Sequence, residues 1–173
     1  MPIAFVDSPT FHVGSTKLSA PTLQGAPRVI DSSAARKALG ESALGTRIGC
    51  YIFAIQKGQR HEPWYVGKAT KSFAQEVFND SNCKKYCEAL ALANTGKPVV
   101  FFVLLPKARG AINKKAIDKL ETMLVEECGG QNPDIRNQRK SRIYRTVIHG
   151  VVNAGQGKPP SNAIAIRKMM GRD

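Results

Sequence analysis

Acidic side chains are scarce in this chain of 173 residues: 13 Asp and Glu stand against 26 Lys and Arg, a formal charge of +13. That imbalance points toward a polyanionic partner, nucleic acid first. No run of about 18 apolar residues occurs, so no membrane span and no membrane partner are expected. Residues 1–13 carry Asp7 and Pro9 where a secretory leader needs a basic start and a long apolar run. A cytoplasmic protein is therefore expected, with its four cysteines reduced. Aromatic residues are few, at 7%, yet a hydrophobic fraction of 42% excludes a wholly disordered polycation. Metal-ligand spacing is also missing. Cys83 and Cys87 are four apart on a predicted helix, but no second Cys or His pair accompanies them, and both read as small core residues. Of the isolated histidines, only His61 falls near the residues singled out below.

The positive charge is unevenly placed. Residues 1–47 carry 5 basic and 3 acidic groups, a net of +2; residues 48–135 carry 12 and 9, a net of +3; residues 136–173 carry 9 and 1, a net of +8. The excess begins at Arg136, Arg139, Lys140, Arg142 and Arg145, interleaved with Ile135, Ile143, Tyr144, Val147 and Ile148. A run of charge alone is often a solvated face. The apolar residues within this one make a packed basic surface the better expectation.

Residues 1–32 hold prolines, glycine, serine and threonine without a sustained period and read as an irregular arm with at most one short strand. Asp31-Ser32-Ser33 can cap a helix through Leu44, with Gly45 ending it. Ile48 to Ile55 is rich in β-formers and predicts a buried strand. Lys57 to Pro63 reads as a polar turn, and Trp64 to Ala69 as a second strand, a hairpin with a long loop. Ser72 and Gln75 form a capping box before a short helix to about Phe78. Asp80-Ser81 can cap the next helix, which Gly96 and Pro98 close. Val99 to Leu105, apolar throughout, predicts a central strand. Asn113 starts a helix to Cys128, stopped by Gly129-Gly130. Ala163–Met170 predicts a short terminal helix. The order is β-β-α-α-β-α, an α/β (α+β) fold without internal repeats. The expected divisions are an arm over 1–47, a core over 48–140 and a basic extension over 141–173.

One carboxylate stands out. At about 100° per residue, Ile117, Leu120, Leu124, Val125 and Cys128 form the apolar stripe of the helix after the third strand, and Glu121 falls inside it. A buried carboxylate needs a cation or hydrogen-bond donors. Either Glu121 makes a structural salt bridge, with an Arg for instance, or it lines a cleft and holds a divalent metal. Tyr51 and Tyr65 are also notable, on adjacent strands and close to glycines, in Gly49-Cys50-Tyr51 and Tyr65-Val66-Gly67. Tyrosine on a strand is ordinarily core filling. Glycine inside a strand weakens it unless something approaches the backbone closely.

Together these pieces resemble the GIY-YIG nuclease superfamily. Gly49-Cys50-Tyr51 is similar to the first half-motif, with Cys for the usual Ile, and Tyr65-Val66-Gly67 to the second. Tyr65-Val-Gly-Lys-Ala69 is similar to the form found in the N-terminal nuclease domain of the bacterial excision-repair incision subunit. Glu121 and Asn137 match the family's later Glu and Asn in order and spacing. The resemblance covers about residues 48–140 and implies a GIY-YIG-like three-stranded antiparallel sheet flanked by helices. It implies phosphodiester hydrolysis in DNA with Mg²⁺ (or Mn²⁺) held by Glu121. Tyr51 would activate water or serve as general base, for which its pKa must be depressed. Tyr65 would bind the scissile phosphate or order the water, Lys68 would neutralise phosphate charge, and Asn137 would brace the site. Lys71, Arg136, Arg139, Lys140, Arg142 and Arg145 would grip flanking phosphates. Cutting both strands would call for a homodimer or a second encounter.

The chain departs from the family in one respect. Gln75 and Glu76 stand where the family places an Arg on the first helix, and no Arg occurs between Arg60 and Arg109. Neither residue reproduces a bidentate phosphate clamp. Lys71, Lys84 and Lys85 are the cations within reach in sequence. Without such a replacement the fold would bind nucleic acid and not cut it.

Overall fold

Residues 48–55 place branched and aromatic side chains at both strand parities, which suits a strand covered on both faces. The computed structural model describes residues 12–13, 22–23, 28–105, 112–136, 148, 151 and 159–171. In chain order its elements are β1 (His12–Val13), β2 (Thr22–Leu23), β3 (Val29–Ile30), α1 (Ser32–Gly40), β4 (Gly49–Lys57) and β5 (Arg60–Ala69). There follow α2 (Phe73–Glu76), α3 (Asp80–Ala93), β6 (Lys97–Leu104), α4 (Lys114–Gln131) and α5 (Ser161–Met169).

The sheet is antiparallel, in the order β1-β6-β4-β5. Its body is the expected three strands, with β4 between β5 and β6. The two-residue β1, from the arm, adds a fourth at the edge by pairing His12 with Leu104 and Val13 with Val103. A separate two-stranded pair, β2 and β3, also comes from the arm, so that region holds three short strands where at most one was expected.

Alternation along β4 and β6 divides the core in two. Cys50, Ile52, Ala54, Val99, Phe101 and Val103 pack beneath α4 and α5. Tyr51, Phe53, Ile55, Val100, Phe102 and Leu104 pack beneath α1, α2 and α3. The segments outside 48–140 contribute to both layers, Ala35 and Leu39 to one and Ala163 and Ile166 to the other.

Capping residues set most helix starts. Asp31, Asn79 and Asn113 each accept from the backbone three residues on, and Ser72 accepts from Gln75 N at 3.3 Å. Asn79, not the expected Asp80-Ser81, caps α3, because its side chain reaches Asn82 N and Asp80 is already the first helical residue. Three boundaries differ from expectation. Helix α1 stops at Gly40, where Ser42 Oγ donates to the Leu39 carbonyl at 2.7 Å and diverts the chain into turns. The hairpin turn is only Gly58-Gln59, because β5 begins at Arg60. Pro63 is accommodated because β5 is an edge strand and the register shifts there, with Phe53 opposite Tyr65 but Ala54 opposite Pro63. Helix α4 runs through Gly129-Gly130 to Gln131, with Ile135 folded back beside Gly129.

The outer edge of β5 is covered. Asn132 Nδ2 donates to the Pro63 carbonyl at 2.8 Å, and Arg136 N to the Trp64 carbonyl at 2.9 Å. These carbonyls flank the register shift, so donors from beyond α4 satisfy groups that the ladder does not.

Two glycines admit close approaches. At Gly49, φ is +147° and an added Cβ would meet the Val103 carbonyl oxygen at 2.1 Å. At Gly67, directly opposite Tyr51, an added Cβ would stand 2.3 Å from both Cζ and Oη of the Tyr51 ring. That ring is fully buried and cannot swing away. Gly67→Ala should therefore cost about 1–3 kcal/mol of stability in urea unfolding, and Tyr51→Leu in the same chain should recover part of it. A Gly67→Ala protein as stable as wild type would refute this interlock.

Candidate functional site

Strand parity sorts the candidate residues. Tyr65, Gly67 and Ala69 share one face of β5, and Val66 and Lys68 share the other. Tyr51 and Tyr65 accordingly stand together on the α3 side, with ring centroids 6.2 Å apart. Lys68 faces α4 and meets Glu121. The structure thus forms two groups, with the sheet between them.

On the α4 side, Lys68 Nζ lies 2.7 Å from Asp118 Oδ1 and 3.3 Å from Glu121 Oε2. Asp118 and Glu121 are one turn apart on α4, so both carboxylates reach one ammonium. Glu121 is buried, as its place on the apolar stripe implied, while Asp118 is exposed. The cation that meets the buried carboxylate is a lysine from the second half-motif, where a salt bridge with an Arg had been one expectation. Its hydrogen bond to Asp118, reinforced by Glu121, raises the Lys68 pKa and keeps it charged. Beneath them Cys50 Sγ donates to the Ile117 carbonyl at 3.5 Å; burial, then the Glu121 charge, pushes its thiol well up, so it stays protonated.

On the other side, Tyr51 Oη accepts from Asn82 Nδ2 at 2.7 Å, and Asn82 Nδ2 also bonds the Glu76 carbonyl at 2.7 Å. Burial, then the neighbouring Tyr65, raises the Tyr51 pKa far above its ordinary value. A depressed phenol, expected of a general base, is not what this environment produces. Tyr86 is likewise pushed well up by burial, and its hydroxyl donates to the Val77 carbonyl at 2.8 Å.

Two residues acquire roles that the sequence reading left open. Lys85, on α3, places Nζ 3.2 Å from Tyr65 Oη and 4.5 Å from the ring centroid. It is the cation that supplies positive charge beside the tyrosine pair. Glu76 instead ties the loop after β5, accepting from Thr70 N at 2.8 Å and Lys71 N at 2.6 Å. Asp118 was missed as a partner of Glu121, although its i, i+3 spacing was visible.

The remaining candidates are dispersed. The Lys71 residue is exposed. Arg136 pairs with Glu88 of α3 at 2.5 Å, so its charge is partly engaged. Asn137, Arg139, Lys140, Arg142 and Arg145 lie outside the described residues. Among the described residues, no group of three or more His, Cys, Asp or Glu side chains is placed to hold a metal ion. The donor set still fits a hard cation: two carboxylates already converge on one positive charge, and Mg²⁺ is commonly held by one or two carboxylates with phosphate and water completing the shell. No described helix is long and apolar enough to cross a membrane.

No family model, curated protein or solved structure matches the chain.

The buried phenols set an alkaline limit on stability. A free tyrosine titrates near pH ~10 and a lysine near ~10.4. Tyr51, Tyr86 and Lys68 are all raised in the folded chain, so above those values the unfolded chain releases protons that the native chain retains. Their contribution is complete below about pH 10 and is lost as pH rises beyond it. Thermal unfolding should show a midpoint insensitive to these groups from pH 7 to 9 and falling above about pH 10. Tyr51→Phe should make that fall shallower. An identical alkaline fall in Tyr51→Phe would remove Tyr51 from this account.

Proposed function

We propose that the chain is a divalent-metal-dependent endonuclease that hydrolyses phosphodiester bonds in DNA through a GIY-YIG-type site. One observation carries this reading. Lys68, from the second half-motif, and Glu121, from the helix after the third strand, are far apart in sequence yet meet at 3.3 Å. The sheet-and-helix order and the Tyr51–Gly67 interlock agree with it.

In this reading Glu121, with Asp118 beside it, holds Mg²⁺. When bound, the metal supplies polarisation of a phosphoryl oxygen and charge for the leaving group. Lys68 orients the two carboxylates and offers its ammonium to a phosphate oxygen at the same edge. Lys85, bonded to Tyr65 Oη on the other face of the sheet, is the cation nearest the tyrosine pair among the described residues, where the family's Arg is missing. Tyr51 stays protonated and holds the half-motifs in register by filling the space over Gly67. The basic stretch after Asn137 grips the flanking strand.

A second reading, binding without hydrolysis, is favoured by the burial of Tyr51 and by the two carboxylates already engaged with Lys68. The two readings separate when supercoiled plasmid, single-stranded DNA and RNA are incubated with the protein in Mg²⁺, Mn²⁺ or EDTA. The nuclease reading expects metal-dependent nicking of DNA, abolished by EDTA and reduced about 10²-fold or more by Glu121→Ala. Salt-sensitive binding without nicking in either metal would overturn it in favour of the second reading. Nicking undiminished in Glu121→Ala would place hydrolysis elsewhere.

A further inference from the structure

The far end of the same hairpin carries a cavity that the site above does not use. Its volume is about 700 Å³, and it opens between the β4–β5 turn, the end of α4 at Gln131, and α5. That is within the roughly 300–1,000 Å³ of small-molecule sites. Arg60 projects from β5 and Lys168 from α5 at its rim, and both are exposed. Among the described residues no carboxylate pairs with either. The third rim cation, Lys57, is already paired with Glu62 at 3.1 Å. Helix α5 begins at this rim with no side-chain cap. Between polar residues that include His61, Glu62 and Gln131, the lining also carries an apolar floor of Pro63, Ile164, Ala165 and Met169.

These two halves ask for different parts of one ligand. Two uncompensated cations from separate elements suit a phosphate. An apolar floor beside them is idle for inorganic phosphate but suits the face of a flat ring. We propose that this cavity is a nucleotide subsite, with the phosphate between Arg60 and Lys168 and the base on the Pro63–Met169 floor. It does not depend on hydrolysis at Glu121. From Lys68 to Pro63 along β5 is roughly 17 Å at the strand rise, and from Glu121 to Gln131 along α4 is about 15 Å at the helix rise. The cavity is therefore separate from the carboxylate pair but near enough to hold a nucleotide of a strand lying across both. The ligand is either that strand nucleotide or a free one.

Calorimetric titration with 5′-AMP, with adenosine and with a twelve-residue oligodeoxyadenylate tests this in the full chain. Wild type should bind 5′-AMP better than adenosine. Arg60→Ala/Lys168→Ala, two exposed changes that leave the core intact, should weaken binding of the phosphate-bearing probe about tenfold or more. Glu121→Ala should leave 5′-AMP binding within about twofold of wild type, which separates this cavity from the fate of the nuclease reading. A loss for 5′-AMP alone identifies a free nucleotide; a loss for the oligonucleotide, alone or together with 5′-AMP, identifies a strand nucleotide. If the double variant binds both probes within twofold of wild type, or if wild type binds neither, the proposal is overturned.

Discussion

Strand β4 is hydrogen-bonded on both sides and covered by a hydrophobic layer on both faces, from Cys50 through Ile55. A strand so enclosed leaves no room for a polar side chain without a partner. Every polar group near it is arranged around that constraint. Tyr51 can be there because Asn82 meets its hydroxyl and because Gly67 vacates the space its ring needs. Glu121 can be there because β5 is the edge strand, where the long stem of Lys68 brings an ammonium inward while its head stays half in water. The Lys68–Glu121 ion pair accordingly forms at the β5 edge. The same edge must not pair with another chain, and Asn132 and Arg136 cover part of it.

Much of this was legible. The apolar runs of β4 and β6, the caps at Asp31, Ser72 and Asn113, and the α+β order follow from local composition. Glu121 stood out because helical periodicity placed a charge where burial was due, and it is buried. Its partner was harder to name, since a strand-to-helix ion pair depends on packing that no local pattern encodes. Other misses have specific causes. The charged and proline-bearing stretch from Lys57 to Pro63 resembles a loop, yet an edge strand tolerates both. Gly129-Gly130 reads as a helix stop, yet Ile135 and the Asn132 N–H bond to the Cys128 carbonyl sustain the last turn. The division of the site between two faces was available from parity alone: Tyr65 and Lys68 are three apart on one strand and must point oppositely.

The +13 charge takes on a more definite form when set on the fold. On the described surface four cations stand in ion pairs, Arg36 with Asp80, Lys57 with Glu62, Lys68 with Asp118 and Glu121, and Arg136 with Glu88. Such pairs hold neighbouring elements together and contribute little to a long-range field. Among the described residues, Arg60 and Lys168 are cations with no carboxylate partner, and the sequence adds a basic stretch after Arg136. Arg60 and Lys168 line the cavity at the other end of β5, apart from the Lys68–Glu121 pair.

That separation bears on how hydrolysis would work here. With its phenol held protonated by burial, Tyr51 is a poor proton acceptor, so water activation would fall to a group with access to solvent. Asp118 is such a group: it is exposed, it shares Lys68 with Glu121, and it stands one helical turn away. A division of labour follows from burial alone. In the proposed nuclease the buried carboxylate, fixed by packing, would be suited to holding a metal at a constant position, while the exposed one could exchange its lysine partner for water. Lys68 sits between them and offsets the repulsion of two carboxylates one helical turn apart. In the proposed nuclease, metal and strand would have to draw Lys68 away from one or both of these carboxylates.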